Sequence, residues 1–141
     1  MIETPECVFC KKKTFENGLL IAELDYSLVY LTPFQKKFPC RAMVSLKNAH
    51  KEELFELTDD ELLGFMKDCS RVAKALKTTF VCDKMNYGIA GDSVRHLHMH
   101  IVGKQKDGPM WTNMFSTKTD GENKLTDTEL HEMAEKLLEN L

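Results

Sequence analysis

An α+β domain is the fold class this sequence predicts, with about five antiparallel strands and helices packed on one face of the sheet. Three observations carry that reading. From His96 to Val102 histidine and apolar residues alternate strictly, the pattern of a half-buried strand. Behind a Thr58/Glu61 capping box, Leu62, Phe65, Met66, Cys69, Val72, Ala73 and Leu76 recur at helical spacing. Strand-like and helix-like stretches then follow in the order strand, strand, strand, helix, strand, strand, helix, which suits a sheet covered by helices on one side.

Taken in order, the chain opens with Cys7-Val-Phe-Cys10 and three lysines. Asn17-Gly18 is a turn signal, and Leu19 to Glu23 after it has strand character. A short polar connection, Asp25 to Ser27, leads to a second run, Leu28 to Thr32, as in a hairpin. Pro33 ends that run, and Phe34 to Pro39 reads as a loop because Pro39 disfavours helix before it. Arg41 to Leu46 is a third strand, and Lys47 to His50 leaves it. The helix after Thr58 spans 59–80 and faces the core, with Cys69 buried and inert. Lys84 to Ala90 is a fourth strand, closed by the turn residues Gly91-Asp92-Ser93. Arg95 to Val102 is the fifth. Leu97, Met99 and Ile101 are the partners expected for the helix stripe. Residues 104–123 are polar and punctuated by Gly and Pro, with Trp111 and Phe115 as the large anchors. A second capping box, Thr126/Glu129, starts a terminal helix through Leu130, Met133, Ala134, Leu137 and Leu138.

Length and charge bound what such a domain does. The 141 residues suit a single domain, 1–141, with no internal repeat or linker. A net charge of −3 is no electrostatic footprint for DNA or RNA. No apolar run approaches the length of a membrane span. Glu3, Glu6 and Lys11 to Lys13 do not make a signal peptide. Five cysteines are an odd number, and reduced thiols in a cytoplasmic protein are the simpler expectation.

The chemistry concentrates on the histidine strand. Side chains two apart on a strand share a face at about 6.6 Å spacing, so His96, His98 and His100 face one way and the apolar residues the other. Two chemistries want imidazoles so placed. Three histidines on one face suit a metal. A neutral imidazole is also a competent nucleophile towards phosphorus near pH 7. A phosphate would want donors nearby, and Asn86, Ser93, His100 and backbone amides supply them. The Cys7/Cys10 pair offers two thiolates to a tetrahedral metal that needs two more ligands. Its rival is a redox pair, although nothing strand-like precedes Cys7 as that motif requires. His50, in a loop, has no role by itself.

At His96-Leu-His-Met-His100-Ile-Val102 the sequence resembles the H-x-H-x-H signature of the histidine triad (HIT) superfamily of nucleotide hydrolases and transferases. The resemblance runs from Cys7 to about Val102 and takes in His50, Asn86 and the Gly91-Asp-Ser93 turn. Trp111 resembles a feature of its diadenosine polyphosphate hydrolases. The resemblance implies a HIT-like fold, a homodimer and a nucleotide substrate. His98 would attack the α-phosphorus and become a nucleotidyl-histidine, from which water releases a nucleoside monophosphate. His100, Asn86 and Ser93 would contact the phosphate, with Ser93 on the leaving-group side. Structural zinc would be held by Cys7, Cys10, His50 and His96, making 1–13 a zinc-binding segment and 104–141 a C-terminal extension.

Three positions depart from the family pattern. Asp92 stands where glutamine is common, Thr32 where an acidic or amide residue grips the ribose, and Arg41-Ala42 where a Gly-His pair is common. The expected activity is hydrolysis or nucleotidyl transfer at the α-phosphate of a dinucleoside polyphosphate or a nucleoside phosphoramidate. The alternatives are a nucleotide-binding regulatory module without turnover, and a zinc- or redox-sensing protein using the cysteine pair.

Overall fold

The computed structural model describes residues 6–117 and 121–141. Residues 1–5 of the expected N-terminal segment and 118–120 of the C-terminal extension lie outside the described residues. The strands are β1 (Leu19–Glu23), β2 (Ser27–Leu31), β3 (Cys40–Leu46), β4 (Lys84–Gly88) and β5 (His98–Lys104). The helices are α1 (Asp59–Phe80) and α2 (Asp127–Leu138), with one-turn 3-10 segments at Leu54–Glu56 and Gly121–Asn123. All neighbouring strands are antiparallel, in the order β1-β2-β3-β5-β4. The element order and fold class are those expected from the sequence.

The two helices start where their sequences say. Thr58 and Thr126 each accept from the backbone of a glutamate three residues on, and each glutamate reaches back to the capping residue. One main core lies between the sheet and the helices. Val29, Leu31, Val44, Leu46, Leu97, Met99 and Ile101 meet Phe65, Cys69, Val72 and Leu76 of α1 and Leu130 and Leu137 of α2. Asp68, buried in α1, accepts from the Tyr26 amide at 2.9 Å and from the Ser27 hydroxyl at 2.8 Å. The helix thereby pins the β1–β2 turn.

Two expectations are corrected. The buried stripe of α1 is centred on Phe65, Cys69, Val72 and Leu76, so Leu62 and Met66 fall at its margin and are 37% and 41% exposed. The fifth strand begins at His98, not Arg95. Ahead of it the Leu97 amide donates to Lys51 O at 2.7 Å and Leu97 O accepts from the Leu46 amide at 3.0 Å. The chain there is tied to the loop leaving β3 rather than to the ladder, and His96 is set off the strand end.

The histidine face is not simply open. Near His98 the N-terminal segment lays Phe9 and Phe15 on Leu28, Tyr30 and Met43. At the other end Phe115 and Met110 of the extension pack on Val102 and Phe38. Lys104, almost wholly buried, donates through Nζ to Met110 O at 2.8 Å and to Asn113 O, which ties the extension down. A cleft remains between the two covers.

Candidate active site and metal site

β3 and β5 are antiparallel neighbours, so the chain leaving β3 and the chain entering β5 emerge at the same end of the sheet. That places His50 beside His96. The Cys7–Cys10 turn, closed by a Lys11 amide to Cys7 O bond of 3.2 Å, brings two sulfurs to them. The four ligand atoms lie within 4.8 Å of one another. His96 Nδ1 is 3.3 Å from His50 Nδ1 and 3.5 Å from each sulfur, and Cys10 Sγ is 3.2 Å from His50 Nδ1. A tetrahedral ion with bonds of about 2.3 Å to sulfur and about 2.0–2.1 Å to nitrogen would set edges of about 3.4 Å (N to N) and about 3.6 Å (S to N). Three of these four separations lie within about 0.1 Å of those lengths, and the Cys10 Sγ to His50 Nδ1 distance of 3.2 Å is shorter. His96 Nε2–H donates to Leu46 O at 2.7 Å, which leaves the lone pair of Nδ1 facing the sulfurs, as a ligand requires. The four residues can hold a metal ion.

His98 and His100 enter the neighbouring cleft. Its volume is about 590 Å³, and Phe9, Phe15, Asn17, Thr32, Arg41 and Met43 share its lining with the turn 90–94. Gly91, with φ of +79°, takes the left-handed conformation that lets this turn bring Ser93 over the histidines. His98 Nδ1–H donates to His96 O at 2.7 Å. The other ring nitrogen, Nε2, then carries the lone pair. Burial pushes the His98 pKa down, against the pull of that hydrogen bond. His100 stands edge-on to His98 with ring centroids 5.0 Å apart. Burial, then the charges of His98 and Arg41, lower its pKa to about 4. Both rings are therefore neutral at pH 7.

The resemblance stated from the H-x-H-x-H run is to the HIT superfamily, and on the family itself the comparison agrees. The HIT domain family model matches residues 17–107. The chain belongs to the HIT domain family. An uncharacterized HIT-like protein of Methanocaldococcus jannaschii is 29% identical over 102 residues, 68% of this chain and 77% of that protein. A crystal structure of a histidine triad protein from Sinorhizobium meliloti superposes with a TM-score of 0.80 at 23% identity, covering 94% of this chain and 99% of that one. The diadenosine triphosphate hydrolase of Plasmodium falciparum superposes with a TM-score of 0.63 at 15% identity, covering 84% and 72%. The HIT match holds His50, Asn86, Ser93, His96, His98 and His100, while Cys7, Cys10 and α2 fall outside it.

The structure brings together Ser93, His98 and His100, and separately Cys7, Cys10, His50 and His96. Asn86 is not brought into the His98 cleft. It pairs with Val102 and shares the face of His100, but it lines a groove of about 650 Å³ with Tyr87, Lys104 and Trp111. Met114 and Phe115, packed over the Gly88 backbone, lie beside it. No histidine lines that groove. Asp92 lines the cleft, and its charge also helps hold Arg95 protonated after the Arg95–Glu52 pairing. Thr32 is buried with its hydroxyl accepting from the Phe34 amide at 3.3 Å.

Two residues were missed from sequence. Phe9, between the cysteines, stacks at a tilt on His98 with centroids 4.7 Å apart. Arg41 lines the cleft and is 5% exposed. Its signal was present: Arg41, Met43 and Ser45 alternate on β3 and pair with Val102, His100 and His98. Only the strand register, which sequence does not supply, turns that alternation into a position in the site.

Proposed function

We propose that this HIT domain is a nucleotide phosphohydrolase or nucleotidyl transferase working at the α-phosphate of a nucleotide conjugate. One observation carries the reading: His98 is buried and neutral, and its Nδ1–H is committed to His96 O at 2.7 Å, so Nε2 is the nucleophilic atom. Nε2 attacks phosphorus, an N–P bond forms, and the bond to the leaving group breaks with its electron pair going to that group. Ser93 stands over the cleft to contact the leaving side, and water or a bound donor supplies the proton. His100 donates to a phosphate oxygen, while Asn86, which lines the neighbouring groove, has no part in this step. Water then attacks the nucleotidyl-histidine, the N–P bond breaks, and a nucleoside monophosphate leaves. His98→Asn should keep the fold and lower turnover by roughly 10⁴-fold or more, since the two-step route is gone. Labelled nucleotide quenched in alkali should mark His98. Label elsewhere, or near-normal turnover by the variant, overturns the mechanism.

The ion proposed for the second cluster is zinc, which two thiolates and two imidazoles suit. Its role is structural: it would join the 6–13 segment to the one end of the sheet where the chain leaves β3 and enters β5. Thiolate ligands fit a reducing, cytoplasmic setting. Among the described residues no helix is long and apolar enough to cross a membrane. A homodimer is the proposed assembly, on the face that exposes Phe55, Leu63 and Met66.

A further inference from the structure

At the end of the β3–β5 pair away from His50 and His96, three sulfur atoms meet that the reaction above does not use. Register puts Cys40, Gly103 and Met85 in one row across β3, β5 and β4. Gly103 has no side chain, and the sulfurs close on the space it leaves. A Cβ on Gly103 would stand 2.6 Å from Cys40 Sγ and 2.6 Å from Cys82 Sγ, so the two thiols lie side by side over the strand. Cys82 reaches them from the turn between α1 and β4, and its Sγ is 3.2 Å from Met85 Sδ. Both cysteines are free, and all three side chains are buried in the main core.

The turn that delivers Cys82 is strained. Val81, which closes α1, has a φ of +48°, a left-handed conformation that β-branched residues avoid. Val81 is 76% exposed while Cys82, one residue on, is 5% exposed. The cluster thus lies one residue beneath the surface, and opening of a single turn would admit a small ion. Sulfur donors with a thioether among them select soft ions. Among the described residues no histidine or carboxylate joins the two thiols in a ligand cluster, so zinc, which takes four ligands, finds too few here. Disulfide formation fits less well, because thiols in apolar surroundings stay protonated and attack slowly, and it makes no use of Met85. We propose that Cys40, Cys82 and Met85 form a metal site of their own, selective for monovalent copper and separate from the Cys7, Cys10, His50 and His96 cluster. The Cys82 thiol gives its proton to solvent as its sulfur bonds the ion, and Cys40 and Met85 each donate a lone pair. No electron is transferred. One thiolate balances one positive charge, so the site stays neutral, as burial demands. The bound ion ties the α1–β4 turn to the first residue of β3.

The test is an anaerobic titration of the full chain with Cu(I) held by bicinchoninate, with ascorbate keeping the copper reduced and zinc measured before and after. Wild type should take up one equivalent more than Cys82→Ser, whether or not the Cys7 cluster carries zinc, and should release about one proton with it. On zinc-loaded protein, X-ray absorption at the copper edge should show sulfur neighbours without imidazole. Met85→Leu keeps the core volume and should weaken the extra equivalent by roughly 10-fold or more, since losing even a partner outside the ligand set has that effect. Gly103→Ala, which sets a methyl against both thiols and removes no donor, should abolish it. Melting curves check each fold, and where Cys82→Ser or Gly103→Ala fails to fold, Met85→Leu decides. Equal uptake by wild type and Cys82→Ser, uptake matched mole for mole by zinc release, or an affinity untouched by Met85→Leu overturns the site. Loss of two thiols to a disulfide under peroxide, with no copper taken up, overturns it in favour of redox chemistry.

Discussion

Removing metal from the Cys7, Cys10, His50 and His96 cluster should lower the melting temperature by about 14 °C. The four ligand atoms already lie within 4.8 Å of one another, so binding needs little rearrangement, and the ion binds the folded chain far better than the unfolded one. At free metal a thousand times Kd, that preference stabilises the fold by about 4 kcal/mol. Unfolding entropy near 2.1 cal/mol/K per residue gives about 0.3 kcal/mol/K over 141 residues, and the quotient is the shift. The assay is calorimetry of zinc-loaded and chelated protein, with metal content measured on each. Cys10→Ala should melt like the chelated wild type and ignore chelator, because Cys10 Sγ touches both imidazoles, at 3.2 and 3.5 Å. Loaded and stripped protein melting together, or Cys10→Ala retaining one equivalent of metal, would refute the reasoning.

Three further outcomes follow from the same structure. His100 has a folded pKa of about 4 against an ordinary 6.5. It therefore binds its proton more readily unfolded than folded, so its contribution is complete above pH 6.5 and is lost as the pH falls towards 4, by up to about 3 kcal/mol. Denaturant titrations at pH 7 and pH 5 should show His100→Asn losing less stability on acidification than wild type; equal losses would contradict the shift. Thr32 offers one hydroxyl, already turned to the Phe34 amide, so ribose and deoxyribose substrates should differ by less than about 10-fold in kcat/KM, whereas a dedicated site discriminates far more strongly. Light scattering at micromolar concentration should give a dimer, and Leu63→Glu, at a residue 58% exposed, should shift it to monomer without lowering the melting temperature of the subunit; a wild-type monomer would remove the assembly.

Much of the fold was legible because its signals are local. Both capping boxes start helices, and the 96–102 alternation put Leu97, Met99 and Ile101 in the core. What was not legible depends on pairing across the chain. Whether Leu62 packs or faces solvent is set by where α1 crosses the sheet. Whether Arg41 meets the histidines is set by the β3–β5 register. The metal cluster joins residues as far apart as Cys7 and His96. Residue spacing alone could not connect them, and it was the resemblance that did so. The closing of the histidine face could not be read either, since Phe9 and Phe115 belong to segments with no strand or helix pattern.

The late start of β5 explains how adjacent histidines of one motif divide their work. On a regular strand His96, His98 and His100 would stand in one row, with equal access to one ligand. Here His96 lies ahead of the ladder. Its Nε2–H is bonded to Leu46 O and its Nδ1 faces the sulfurs, so it belongs to the Cys/His cluster that can hold a metal ion. Its carbonyl, meanwhile, accepts the Nδ1–H of His98 at 2.7 Å. The backbone of His96 thus sets the tautomer of His98, the ring that is the nucleophile in the proposed reaction. Phe9 adds a second link, lying between the cysteine ligands in sequence and tilted against both His96 and His98 in space. The metal cluster and the reactive ring are therefore joined through a carbonyl on one side and an aromatic ring on the other. Loosening the N-terminal turn would release the Phe9 contact on His98, while the His96 carbonyl stays placed by the bonds of His96 and Leu97 to Leu46 and Lys51.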